Sequence, residues 1–150
     1  MGPLSLHIHE YLSEVGYYYK VKTFPEPGMG TIFLISGLAS GILSQIIADD
    51  REEYILFLSY SKYSFEESEK FMLGMNHLNL SAPEGITYFY RLEDSCIYSK
   101  LTVVVSGTYP NGNYINGTLY HTIESLKNIL AKLDGLKRKE WEPKCEVHTK

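Results

Sequence analysis

The chain is short of most things that would commit it to a specialised class. It has two cysteines, Cys96 and Cys145, in 150 residues. Two thiols make no disulfide framework, so an apolar core has to hold the fold, and free thiols in a reducing compartment are the expectation. A chain of this length buries roughly 70% of its extended surface, enough for one self-sufficient domain. Basic residues are outnumbered, 14 Lys and Arg against 18 Asp and Glu, giving a net charge of −4. That balance argues against broad nucleic-acid binding, which needs a basic face, and against charge-driven attachment to an anionic membrane. Long apolar runs are missing too; stretches such as Ile32–Ile35 and Val103–Val105 are far too short to cross a bilayer. The opening MGPLSLHIHEYL has no basic stretch ahead of an apolar one, and Leu6 stands where a myristoylation motif needs Ser or Thr. A cytoplasmic protein is expected. In that setting the acceptor patterns at Asn79–Ser81 and Asn116–Thr118 carry no modification.

Signatures of catalysis are equally scarce. No glycine loop follows a strand to cradle phosphate, and no helix carries a zincin pair. His121, Glu124 and Ser125 lie close enough on a helix to suggest a triad, but nothing supplies oxyanion donors or a deep site. His7 and His9 are two apart, so on a helix they point to different sides and cannot share an ion. Cys145 and His148 are two ligands where three or four are needed. The run Asp49-Asp50-Arg51-Glu52-Glu53 lacks the glycine and spacing of a calcium loop and reads as a solvated turn. Cys96 has no sequence neighbour that would acidify its thiol. The expectation is a protein that is not an enzyme and needs no cofactor or metal.

What the sequence does contain is patterning. Leu4, Ile8, Tyr11, Leu12 and Val15 form a helical stripe that starts at Pro3 and stops at Gly16. Tyr17, Tyr18 and Tyr19 follow, read either as the lining of a binding groove or as a short strand against the first helix; Pro25–Gly30 is a loop. Thr31–Ser36 is a strand, Gly37–Gly41 a turn, and Ile42–Ala48 with Tyr54–Tyr60 a hairpin. Ser64–Leu80 is the organising helix. Ser64 and Glu67 make a capping box, Phe71, Met72, Met75 and Leu78 recur at helical spacing, Gly74 admits a neighbouring backbone, and Pro83 ends the run. A second hairpin turns at Asp94-Ser95, which would pair Leu92 with Ile97, Tyr88 with Leu101 and Ile86 with Val103, and set Arg91 opposite Tyr98. Gly107–Gly117 is a turn-rich loop bearing Tyr109 and Tyr114. Thr118–Leu133 is the last helix, and residues 137–150 form a polar tail with Trp141 as its anchor.

The resulting order, α-β-β-β-α-β-β-α, predicts an α+β fold: two layers, an antiparallel sheet with helices on one side, in a single domain over residues 1–136. This order, with the stretch MNHLNL, Gly85 and the hairpin ITYFYRLEDSCIYSKLTVVV, resembles the YbjN family of uncharacterised bacterial proteins and, more broadly, the type III secretion chaperone-like fold. The resemblance spans Leu4 to Leu133; Tyr17–Gly30 and the residues after Gly135 depart from it. It implies a dimer that holds an extended segment of another protein on apolar patches and strand edges, with no catalytic residues to carry over. The expected function is therefore a non-catalytic, homodimeric protein-binding module, chaperone-like or regulatory. Tyr17, Tyr18, Tyr19, Met72, Met75, Tyr109 and Tyr114 are its partner-binding candidates. Two alternatives stand beside it: a small-molecule-binding domain or enzyme whose pocket uses Tyr17–Tyr19 and Tyr109–Tyr114, and a structural subunit of a fixed complex.

Overall fold

The computed structural model describes residues 1–141 and 143. Helix α1 (Pro3–Val15) leads into four strands, β1 (Tyr18–Thr23), β2 (Gly30–Ala39), β3 (Ile42–Asp49) and β4 (Tyr54–Lys62). Helix α2 (Ser68–Leu80), strands β5 (Ile86–Arg91) and β6 (Cys96–Val104) and helix α3 (Gly112–Lys137) complete the order. The fold is α+β as the patterning implies, with one strand more than its periodicity resolves. That strand is the tyrosine run: β1 pairs antiparallel with β2 from Tyr18 opposite Ser36 to Thr23 opposite Thr31. All six strands form one open antiparallel sheet in the order β1-β2-β3-β4-β6-β5.

The acidic turn between β3 and β4 explains how α1 begins. Asp49 Oδ1 accepts the N–H groups of Arg51 (2.9 Å) and Glu52 (2.7 Å) and closes the turn. Asp50 reaches across to α1, taking the Ser5 N–H at 2.9 Å and the Ser5 hydroxyl at 2.6 Å. It caps the first turn from a distant point in the chain, in place of a local capping side chain. The carboxylate fits because residue 2 is glycine; a Cβ there would lie 2.5 Å from Asp50 Cγ.

The helices pack on one side of the sheet in two apolar clusters. Leu4, Ile8 and Leu12 of α1 meet Phe33, Ile46 and Phe57 of the sheet and Leu119 of α3. Further along α3, Ile123, Leu126 and Leu133 meet Ile97 of the sheet and Phe71, Met75 and Leu78 of α2. Where the clusters join, buried hydroxyls replace hydrocarbon. Ser44 bonds Ser59 (3.0 Å), Ser59 bonds Thr122 (2.8 Å) and Ser99 bonds Ser125 (2.8 Å). These short side chains satisfy one another, which removes the penalty of burying them and fixes α3 against the sheet in one register.

Four local expectations are corrected. α2 begins at Ser68, so Ser64 and Glu67 form no capping box; Glu67 occupies the N-cap position with no side-chain bond. Ring packing holds the preceding segment out of the helix: Phe65 stacks on Phe71 with centroids 4.1 Å apart and meets Tyr90 edge-on at 5.2 Å. Gly74 accommodates side chains of Leu133, Leu136 and Trp141 rather than another backbone. α3 begins at Gly112, inside the stretch read as loop, because Asn111 Oδ1 accepts the Tyr114 N–H at 2.8 Å and caps it. Glycine is required at 112, where a Cβ would sit 2.4 Å from the Tyr11 ring.

The fourth correction is the β5–β6 register. Tyr90 pairs with Ile97, Tyr88 with Ser99 and Ile86 with Leu101, a slip of two residues that leaves the side chains within β5 and β6 on their expected faces. The loop holds four residues, not two. Ser95 takes a left-handed φ of 55°, and Asp94 accepts the Cys96 N–H at 3.2 Å and the Tyr98 hydroxyl. Leu92 is left 78% exposed instead of paired. Arg91 sits opposite Cys96, and its guanidinium still lies 6.0 Å from the Tyr98 ring centroid.

Candidate protein-binding face

The side of the sheet away from the helices carries a surface of its own. The pairing register lines up a row across all six strands: Lys20, Leu34, Gln45, Leu58, Lys100 and Thr87. One flanking row runs Lys22, Ile32, Ile47, Leu56 and Thr102; the other runs Leu43, Tyr60, Tyr98 and Phe89. Ile47, Leu58, Tyr60, Phe89, Cys96 and Tyr98 form a third apolar cluster that contains no helix residue. The centre of this face is therefore apolar and its two ends are basic, with Lys20 and Lys22 on β1 and Lys100 and Arg91 on β6 and β5. Asp49, the acidic strand residue on this side, is buried and engaged in its own turn.

The aromatic row is stacked. Tyr60 stacks on Tyr98 at 4.9 Å and Phe89 on Tyr98 at 4.8 Å, with the Lys100 ammonium 5.9 Å from the Phe89 centroid. Tyr98 is thus stacked between the other two rings, near-parallel to both. Burial raises the Tyr98 pKa, and its bond to Asp94 raises it further. Burial would also raise Asp94, but the Tyr98 hydroxyl, Arg91 and the Cys96 N–H outweigh it and hold the carboxyl below its usual value. The Cys96 thiol is pushed up by burial and by Asp94, which makes it a packing group rather than a nucleophile. Beside the row, Tyr18, Lys20, Leu34, Leu43 and Tyr60 border a shallow depression of about 460 Å³.

The two edges of the sheet differ. On β5, the Asn79 side chain donates to the Tyr88 carbonyl at 2.9 Å and accepts the Tyr88 N–H at 2.8 Å. One amide thus makes the two bonds that a further strand would make there. Five of the six β1 residues are exposed.

The sequence candidates scatter. Tyr18 is 79% exposed and belongs to the open face. Tyr19 points the other way, its hydroxyl 3.0 Å from His9 Nδ1 and its ring against Phe33. Tyr17 is half-buried, donating its hydroxyl to Asn116 and meeting Tyr11 edge-on; burial, with Tyr11 beside it, pushes its pKa up to about 12. Met72 is exposed on α2, whereas Met75 is in the core. Tyr109 leans on His7, and Tyr114 is exposed in the first turn of α3. The two tyrosine sets do not share a pocket: Tyr109 and Tyr114 line one depression, Tyr18 and Tyr19 another.

His7 contacts the Pro110 carbonyl at 2.6 Å and His9 contacts Tyr19, so each histidine has a structural partner. His121 and Glu124 are exposed, while Ser125 is buried and donates to the Thr122 carbonyl at 3.0 Å. Among the described residues no three His, Cys, Asp or Glu side chains come together as metal ligands. Cys145 and His148 lie outside the described residues, as does most of the expected tail. No helix among the described residues is long and apolar enough to cross a membrane.

Two features escaped the sequence reading. Asn79 gave no signal beyond a glycosylation pattern, because its edge-sealing role depends on tertiary contact. The open face did leave a trace: segments such as YILFLSY and TIFLIS are apolar at successive positions, whereas a strand with one wet face should alternate.

No protein-family model and no curated protein matches the chain. Solved structures do. The chain is similar to YbjN of E. coli, provisionally described as a transcription regulator, with 12% identity and a TM-score of 0.59 over 88% of this chain and 90% of that one. An uncharacterised protein of Methanothermobacter thermautotrophicus matches at 9% identity and a TM-score of 0.60, over 91% and 98%. The fold is YbjN-like. At these identities the likeness speaks to architecture, and neither neighbour is described as a secretion chaperone.

Proposed function

We propose that the protein is a non-catalytic protein-binding module, chaperone-like or regulatory, whose partner covers the open face of the sheet. One observation carries this reading: the sheet is apolar on both sides and its helices cover one. A contiguous apolar surface of this kind, with a polar rim, is characteristic of a contact with another macromolecule. Protein suits it better than single-stranded nucleic acid. Base stacking needs exposed ring faces in a positively charged groove; Tyr98, the middle ring, is buried between two others, and the chain carries a net charge of −4. The regulatory sense also accords with the description given to YbjN, without carrying over its target.

The homodimer belongs to the same proposal. Met72, Leu73 and Leu80 are 61%, 40% and 81% exposed and share one outward flank of α2, leaving the sheet free for the partner. Met72→Glu with Leu80→Glu should give a monomer by light scattering; an unchanged dimer removes α2 from the contact. Met75 is unsuitable for this test because its substitution would disrupt the core.

The partner face is tested by Leu43→Glu with Ile47→Glu. Binding partners captured by the wild-type chain should be lost with this variant while its circular dichroism spectrum is retained. Undiminished capture by a folded variant would refute the reading.

A further inference from the structure

We infer that β1 is the docking edge, and that it takes an extended segment with acidic side chains at alternate positions and an apolar one between them. This rests on the protein-binding reading and adds the place and chemistry of contact. An antiparallel sheet has two edges, and a free edge is a template for another strand. Here one edge is plugged: the Asn79 amide occupies both outward backbone groups of Tyr88. The β1 edge has six residues, of which only Tyr19 is not exposed.

The side chains of β1 specify what fits. Lys20 pairs with Leu34 and Lys22 with Ile32, which places both lysines on the open face. Val21 pairs with Phe33, a core residue, so it lies on the helix side, where it is 42% exposed. No carboxylate forms an ion pair with Lys20 or Lys22 among the described residues. Residues directly opposite on paired strands share a face and interact, opposite charges favourably and like charges unfavourably. An incoming strand therefore gains from Asp or Glu opposite each lysine and from an apolar residue opposite Val21. Its next side chains on that face run toward Tyr18 and the depression beside Leu34 and Leu43. The same rule disfavours a second copy of this chain: antiparallel self-pairing about Val21 puts Lys20 against Lys22 of the other copy. The lysines thus disfavour self-pairing centred on Val21 while admitting an acidic guest.

The test is selection of a random displayed-peptide library on the full chain. Enriched peptides should carry Asp or Glu at i and i+2 around an apolar residue. A synthetic peptide of the winning sequence should slow amide hydrogen exchange along β1 and leave β5 unchanged. Lys20→Glu with Lys22→Glu, both at exposed positions, should weaken that peptide roughly tenfold at low salt. Reselection on this variant should enrich Lys or Arg at the same two positions. Winning peptides without the alternation, or with footprints on α2 or the sheet interior alone, would overturn the edge assignment and leave the protein-binding reading standing. An unenriched library would overturn both.

Discussion

The two sides of one sheet are built to different rules. On the helix side, Phe33, Ile46, Ile55 and Phe57 are fully buried, and the polar groups among them, Ser44, Ser59 and Ser99, each have a hydroxyl partner. On the other side the apolar residues lean on one another across strands with no helix over them: Leu58, Cys96 and Tyr98 are buried by their neighbours, and Ile47, Tyr60 and Phe89 are half-buried. The first surface is complete within the chain. The second has the composition of an interior without its cover. The difference teaches where to look for function: a sheet needs only one buried face to be stable, so the apolar residues kept on the other are the ground on which a partner is proposed.

The largest test of that contrast is a pair of truncations. Phe57→Ala on the covered side should cost about 3–5 kcal/mol of stability, as large core truncations do. Leu43→Ala on the open side, where the residue is 47% exposed, should cost less than about 1 kcal/mol yet weaken partner binding. Chemical denaturation measures both, and equal losses would erase the distinction.

The edges can be compared next. Asn79→Ala strips two hydrogen bonds from Tyr88 and should destabilise by about 1–3 kcal/mol, with faster amide exchange in β5. A substitution at exposed Tyr18 on β1 should do neither. Smaller again, Asp50→Ala removes the remote cap of α1 and should cost about 0.5–2 kcal/mol, seen as earlier loss of helical signal on heating.

The smallest expected effect is on pH. Asp94 has a folded pKa below its unfolded value of about 3.9, so it contributes stability above that value and loses the contribution as pH falls through the folded one. Acid titration of stability should therefore be shallower below about pH 4 in Asp94→Asn than in the wild type. Identical acid limbs would show that the carboxylate does not hold the 92–95 turn.

Much of this architecture was legible in the chain. Pro3 and Gly16 bracket α1 in sequence and in structure, and of the expected α2 stripe Phe71, Met75 and Leu78 are buried while Met72 is exposed. What stayed hidden depends on contacts distant in sequence. Local patterns at Ser64 and Glu67 suggested a cap, but rings from three segments pull that stretch away. Alternation fixed which face each β5 and β6 residue takes, but it has a period of two and cannot separate registers two apart; Asp94 and Ser95 made that choice. Tyr17–Tyr19 read equally well as groove or strand, since aromatic residues suit both. The site was harder still, because candidates picked by residue type fall on several surfaces and only Tyr18 joins the open face.

The most direct measurement places a photo-crosslinking amino acid at Leu43, on the open face, and separately at Tyr120, on the outer side of α3, in the intact chain inside its native cells. The account predicts a discrete covalent adduct with another polypeptide from position 43 and none from position 120. No adduct from 43, or the same adduct from both, would contradict it.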